Sequence, residues 1–217
     1  MLCILFLSFI FQANVLPIIN STVVKSSDYY ETSINAYKKN EFWGIWSMPI
    51  SENCVASSTK NPDHDIQYAV NNIQDYNLDT AWIPMGKSKS NHPYFEYLFK
   101  FPENNSYASA YQFQGFCKLF NGYCKSFKIW NENSRVKRIL VYYNDIPLCY
   151  VNILDTWHFQ SFDISGFFKN RRFKKNLNAA FEIKNGDKLK FEIVDTYKGK
   201  KYNDVAISEF LCEGAGN

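Results

Sequence analysis

Net charge is in short supply in this chain: 24 Lys and Arg against 21 Asp and Glu leave a formal charge of +3 over 217 residues. A balance that even gives no global electrostatic footprint for nucleic acid, and no nucleic-acid-binding motif accompanies it. Histidine is scarce too. The three present, His64, His92 and His158, lack the spacing of metal ligands. H-E-x-x-H, G-x-S-x-G and a phosphate-cradling glycine loop are all missing, so no familiar catalytic motif points to an enzyme, and an unrecognised active site is the weaker third reading. A carboxylate pair for glycoside hydrolysis is assembled by folding and is not legible in a linear sequence. With only nine Gly and no low-complexity tract, fibrous repeats and disorder are excluded as well.

Long apolar runs are also absent. LCILFLSFIFQA, residues 2–13, falls short of the roughly 20 apolar residues that a membrane-spanning helix needs. Its length suits a secretory h-region, although the usual basic flank is missing. Residues 1–20 are therefore assigned to a signal peptide, with Ala13 as the expected cleavage position and Asn20-Ser21 as a later one. Cys3 lies within the apolar run, which argues against a lipid anchor there. The expected location is secreted or cell-envelope, periplasmic or surface, without a transmembrane span.

What the chain does have is aromatic mass: 19 Phe, 15 Tyr and 5 Trp, with 46% hydrophobic residues, enough for one full core. KLKFEIVDTYKGKKYNDVAISEFLCE, Lys188 to Glu213, writes two strands and a loop. Leu189, Phe191 and Ile193 alternate with Lys190, Glu192 and Val194; alternation resumes at Val205, Ile207, Glu209 and Leu211. Between them, residues 195–204 mix turn formers with groups suited to ligand contact. Further strands are predicted at Tyr94 to Phe101, Ala110 to Phe116, Val136 to Tyr143, Pro147 to Leu154, Trp157 to Ile164 and Asn178 to Ile183, with turns at Asn121-Gly122 and Asn144-Asp145. At least eight short strands, with no sustained helical stripe, predict an all-β sandwich or barrel. Ile66 to Ile73 reads equally as a helical turn or a loop. FWGIW at Phe42 to Trp46 lies in an N-terminal extension, either packed on the sandwich or offered to a partner. KNRRFKK, Lys169 to Lys175, reads as a solvated loop or a dock for an anionic surface.

NGYCKSFKIWNENSRVKRI with VYYNDIPL, and VDTYKGKKYNDVAISEF, together resemble the paired motifs of the NAD glycohydrolase translocation domain, also called the NADase-type glycan-binding domain. DYNLDTAW, Asp75 to Trp82, is similar to an element shared by discoidin-like and fucose-lectin sandwiches. The resemblance covers roughly residues 50 to 213. It implies a discoidin-like (galactose-binding-like) jelly-roll β-sandwich. The expected organisation is a signal peptide at 1–20, an extension at 21–50, the sandwich at 51–213 and a tail at 214–217.

The resemblance also implies residue roles. A carbohydrate site is expected from Asn121, Tyr123, Lys125, Asn133, Arg135, Tyr197, Lys198, Lys201, Tyr202 and Asp204. Aromatic faces stack on sugar C–H surfaces while amides, carboxylates and cations bond hydroxyls. Each residue has a structural competitor: Arg135 and Asp204 as an ion pair tying loops, Tyr202 as a core ring, Asn121 as a turn former. Trp82 is expected in the core. Calcium is the one cofactor implied, on Asp75, Asn77, Asp79 and Glu209, although Tyr76 replaces the usual Gly and the element also stands as a plain turn. A Cys54–Cys212 disulfide is implied as the staple of first and last strands, worth about 4 to 5 kcal/mol on a chain-entropy argument. Cys117 and Cys124, flanking six residues, are placed to clasp the Asn121-Gly122 loop, which leaves Cys149 a buried free thiol; the competing reading has the first bond alone, or neither.

The function implied is a non-catalytic glycan- or glycoconjugate-binding module of an exported protein. The rival is a structural or protein-interaction sandwich without a glycan ligand. Catalysis in NAD glycohydrolase belongs to a separate domain, so the resemblance carries no enzyme activity.

Overall fold

The computed structural model describes residues 15–24, 54–86, 92–99, 112–168, 181–182 and 185–215. The apolar run at 2–13, Phe42 to Trp46 and Lys169 to Lys175 lie outside the described residues.

Alternating side chains resolve into two facing layers. The strands are β1 (Ile18–Asn20), β2 (Thr22–Val23), β3 (Cys54–Ala56), β4 (Tyr94–Leu98), β5 (Gln112–Asn121), β6 (Arg135–Tyr143), β7 (Ile146–Asn152), β8 (Gln160–Asp163), β9 (Phe181–Glu182), β10 (Lys188–Tyr197) and β11 (Ile207–Ala215). One sheet runs β1-β7-β6-β10-β4-β3; the other runs β11-β5-β8-β2, with β9 also paired to β5. The expected all-β, discoidin-like sandwich is what the chain forms.

In the first half of β10 every second residue (Leu189, Phe191, Ile193) is buried, paired across to β4 and β6. Between the sheets, Phe210 is the hub: its ring centroid lies 4.5 Å from Phe191, 4.8 Å from Phe95 and 6.0 Å from Phe162. Trp82 is fully buried against Phe95, with its indole N–H donated to the Ser58 carbonyl at 3.1 Å, so it is a core residue as expected. Asn144 and Asp145 both have positive φ, 48° and 64°, the geometry of a two-residue turn whose twist suits the β6–β7 hairpin.

Several expectations are corrected. β5 runs on through Asn121 instead of ending at Phe116, so Asn121-Gly122 closes no hairpin; Gly122, at φ 99°, turns the chain out of the strand. A short helix, α1 (Phe127–Glu132), lies between β5 and β6 where no helix was expected, started by the Ser126 hydroxyl accepting from the Ile129 N–H at 3.2 Å. A 3-10 turn, Val70–Gln74, resolves the ambiguous segment. Gly214 and Ala215, read as tail, pair with Phe113 and Gln112. Ile18–Asn20, within the residues assigned to a signal peptide, forms a parallel pair with β7, so a cut after Ala13 leaves β1 in place and one at Asn20-Ser21 removes it.

The cysteines are corrected too. All five described cysteines, Cys54, Cys117, Cys124, Cys149 and Cys212, are buried thiols outside any disulfide. Cys212 faces Cys117, its register partner across β11 and β5, with the sulfurs 3.8 Å apart, which is a contact and not a bond. Cys124 lies in a different apolar cluster from Cys117, so the expected clasp is not made. Burial pushes the Cys149 thiol up to about 12, and burial first, then Cys212, raises Cys54 further, so both stay protonated.

Phe210→Ala removes the ring shared by both sheets and is expected to cost about 3 to 5 kcal/mol, measured by urea denaturation.

Candidate functional site

Three connections step from one sheet to the other at the same end of the sandwich: residues 122–134 from β5 to β6, 153–159 from β7 to β8, and 198–206 from β10 to β11. Hydrogen bonds gather them. The Asn121 side chain accepts from the Val136 N–H at 2.9 Å and donates to the Val136 and Leu154 carbonyls at 2.8 and 3.2 Å. Gly122 N–H reaches the Ala206 carbonyl at 3.1 Å, and Ser134 N–H the Asp204 carbonyl at 3.0 Å.

Arg135 fixes the centre. Its guanidinium makes a two-pronged pair with Asp155 at 2.8 and 2.9 Å, donates to the Asn133 carbonyl at 2.9 Å and lies 4.6 Å from the Trp130 ring centroid. The Lys198 carbonyl accepts from the same guanidinium at 3.5 Å. Trp130 in turn donates its indole N–H to the Asn121 carbonyl at 2.7 Å and stacks on Phe127 at 5.5 Å. Phe127 meets Trp157 edge to face at 5.2 Å and is 54% exposed. An aromatic surface is thus carried on a rigid cation–indole–amide support.

The ten residues expected at a carbohydrate site divide by burial. Asn121, Tyr123, Asn133 and Arg135 are buried: the Tyr123 hydroxyl donates to the Asp79 carbonyl at 3.0 Å, and the Asn133 amide to the Ile129 carbonyl at 2.9 Å. Tyr197 is half-buried, its hydroxyl donated to the Ile153 carbonyl at 3.1 Å. Lys125, Lys198, Lys201 and Tyr202 are exposed. Asp204 is partly exposed and hydrogen-bonded to Lys60, whose ammonium pKa that bond raises. The two long motifs therefore do meet at one end of the sandwich. The Arg135–Asp204 ion pair weighed in the sequence is not formed, because Asp155 from the middle connection takes the guanidinium and Lys60 takes Asp204. Tyr202, 41% exposed, is no core ring.

Phe127 and Trp157 were not legible as a surface. Their signals, a Ser at a helix start and an isolated Trp between two strands, say nothing of their meeting.

At the neighbouring turn, the Asp75 carboxylate accepts from the Asn77 N–H at 2.9 Å and the Thr80 hydroxyl at 2.7 Å, while the Asn77 side chain accepts from the Asp79 N–H at 3.0 Å. Tyr76 tolerates φ 57° where the related element has Gly. Glu209, fully buried on β11, interacts with Asp75. Desolvation raises the Asp75 pKa, against the bonds from Thr80, Asn77 and Glu209. Of the four residues expected to hold calcium, these two carboxyls suit a hard cation in donor type; the Asn77 side-chain oxygen is already used in the turn. Among the described residues no three His, Cys, Asp or Glu side chains converge on a common point.

The two sheets and their connections define a discoidin-like β-sandwich. The chain belongs to the NAD glycohydrolase translocation F5/8 type C domain family, whose model matches residues 47–213. Among solved structures, the CBM32-1, CBM32-2 and M60 catalytic domains of Clostridium perfringens ZmpB match with a TM-score of 0.51 and 11% identity, over 93% of this chain and 17% of that one. The CBM32-1 and CBM32-2 domains alone match at 0.48 and 10%, over 91% and 41%. CBM32-3 from a family 31 glycoside hydrolase of the same organism matches at 0.46 and 12%, over 76% and 94%. This chain thus spans less than half the length of the two ZmpB structures. The comparison with curated proteins gave no match.

Two outcomes are expected. Asn121→Ala leaves both backbone groups of Val136 without their partner and costs about 2 to 4 kcal/mol in urea denaturation. For Asp75 the folded pKa lies above the unfolded one, so its contribution to stability is full below the ordinary Asp range and declines as pH rises through the raised value. Asp75→Asn should flatten that decline on the alkaline side of the ordinary Asp range, followed by chemical denaturation across pH.

Proposed function

We propose that this domain is a non-catalytic glycan-binding module of an exported protein, and that its ligand lies on the end where the three sheet-crossing connections meet. The observation that carries the reading is the Phe127–Trp157 pair, with Phe127 exposed and Trp157 half-buried, held on the Trp130–Arg135–Asp155 support. An apolar ring face beside polar groups is the surface that pyranose stacking requires. Lys125, Lys198, Lys201, Tyr202 and Asp204, which belong to the same loop end, are the groups offered to hydroxyls in this reading. Asn121, Tyr123, Asn133 and Arg135 act one step removed, by fixing the loops. Kinship with the family and likeness in fold to a structure containing CBM32 domains support a binding role.

Among the described residues no helix is long and apolar enough to cross a membrane, and the reading places the domain in the secreted or envelope fraction. Calcium, where bound, would be held by Asp75 and Glu209 and would act on the fold by relieving the charge between two neighbouring carboxyls. A rise in melting temperature with calcium over chelator, absent in Glu209→Gln, identifies that ion.

A second reading, a protein-interaction sandwich, is favoured by one observation: four of the ten motif residues are buried and spent on internal bonds. Glycan-array binding separates the two. Trp157→Ala and Phe127→Ala are each expected to weaken glycan binding by about tenfold or more with the fold retained by circular dichroism. An array without any bound glycan sinks the proposal, and turnover of a glycan or of NAD would make the domain an enzyme.

A further inference from the structure

Charge at the loop end is lopsided, and the imbalance bears on which saccharide this end takes; the inference rests on the glycan-binding reading above. The nearby carboxylates already have cations: Asp155 has Arg135, Asp204 has Lys60, and Glu132 has Lys128 at 4.0 Å. Lys198, Lys200 and Lys201 are all exposed and make no ion pair among the described residues.

These three lysines do not sit on a loosely held backbone. The N–H groups of Lys200, Lys201 and Tyr202 cap the end of α1, donating to the Asn131 carbonyl at 3.0 Å and to the Glu132 carbonyl at 3.1 and 2.8 Å. Gly199 N–H donates to the Ser134 hydroxyl at 3.1 Å. A Cβ at Gly199 would come within 2.4 Å of the Glu132 carbonyl oxygen, so the segment lies flush against the helix end. Lys201 is further placed over the Tyr202 ring, 4.9 Å from its centroid. The helix that this segment caps begins at Phe127, and the Lys198 carbonyl touches the guanidinium that supports Trp130. The ammonium groups and the aromatic surface therefore share one end of the fold through a short chain of fixed contacts.

A neutral sugar can take hydroxyl bonds from these ammonium groups but brings no charge to meet them, and among the described residues only Lys201 has a carboxylate, Glu132, acting on it at a distance. Lysine acts as a compact, hydrated point charge, suited to carboxylate or sulfate and not demanding one bonding geometry. We propose that this end selects acidic glycans, saccharides bearing carboxylate or sulfate groups, with Lys198, Lys200 and Lys201 meeting the anionic groups while Phe127 and Trp157 take a ring face.

Calorimetric titration of matched pairs tests this: sialyllactose against lactose, and a heparin-derived tetrasaccharide against its desulfated form. The expected result is a preference of about tenfold for the acidic member at low salt, fading as salt rises to about 0.5 M. In the Lys198→Gln, Lys200→Gln, Lys201→Gln triple variant the acidic member should bind no better than the neutral one, with the melting temperature unchanged. Equal binding of acidic and neutral members, or a preference that survives in the triple variant, overturns the proposal and leaves the glycan reading standing. Equally tight binding of a DNA oligonucleotide also overturns it, since that is generic attraction to polyanions. Failure to bind any saccharide on the array or in the calorimeter removes the glycan reading itself.

Discussion

The Asn121 side chain is the point on which the loop end depends. One amide satisfies both backbone groups of Val136 at the start of β6 and also reaches the Leu154 carbonyl, while its own backbone carbonyl receives the Trp130 indole. Two of these partners lie in connections that cross between the sheets. In a dry interior, such bonds are costly to leave unmade, so the loops are fixed relative to one another by satisfaction of polar groups as much as by apolar packing. Arg135 then extends the arrangement outward. It is buried because Asp155 and the Asn133 carbonyl complete its donors, and with its charge met it serves as a flat support beside Trp130.

This division explains why the long sequence motifs are informative about the fold and less direct about contacts. Their asparagines and arginine are polar residues of the kind that bind ligands, but here they spend that capacity inward. The groups left facing solvent are the lysines and rings between them. Phe127 reaches its exposed position because a six-residue helix, started by Ser126, turns its first side chain away from the core and toward Trp157. Loop ends of rigid sandwiches commonly divide the work in this way, with a supporting layer beneath an adaptable surface.

The sandwich was legible because strands write their burial in a period of two. Leu189, Phe191 and Ile193 are inward as their alternation required, and Asn144-Asp145 forms the turn its residue types favour. The helix was not legible, since six residues span fewer than two turns and give no stripe. The Arg135–Asp155 pair was hidden for another reason: its partners, 20 residues apart, meet only because β6 and β7 fold back as a hairpin and return both ends to the same edge. The clustering of Cys54, Cys117 and Cys212 in one core was likewise set by strand order, and strand order is not written in cysteine spacing. The matching of Asp204 with Lys60 needed a segment 144 residues away.

Ser21 has a consequence for the molecule's behaviour in company. On one side of it β1 lies along β7; on the other, β2 lies along β8 in the opposite layer, and the buried hydroxyl itself bonds Gln160 at 2.6 Å. Six residues of chain, 18–23, therefore shield the flanks of both layers at once. A form shortened past Val23 would bare two rows of amide and carbonyl groups simultaneously, each a template for a neighbouring molecule, and would be inclined to self-associate well before its interior came apart.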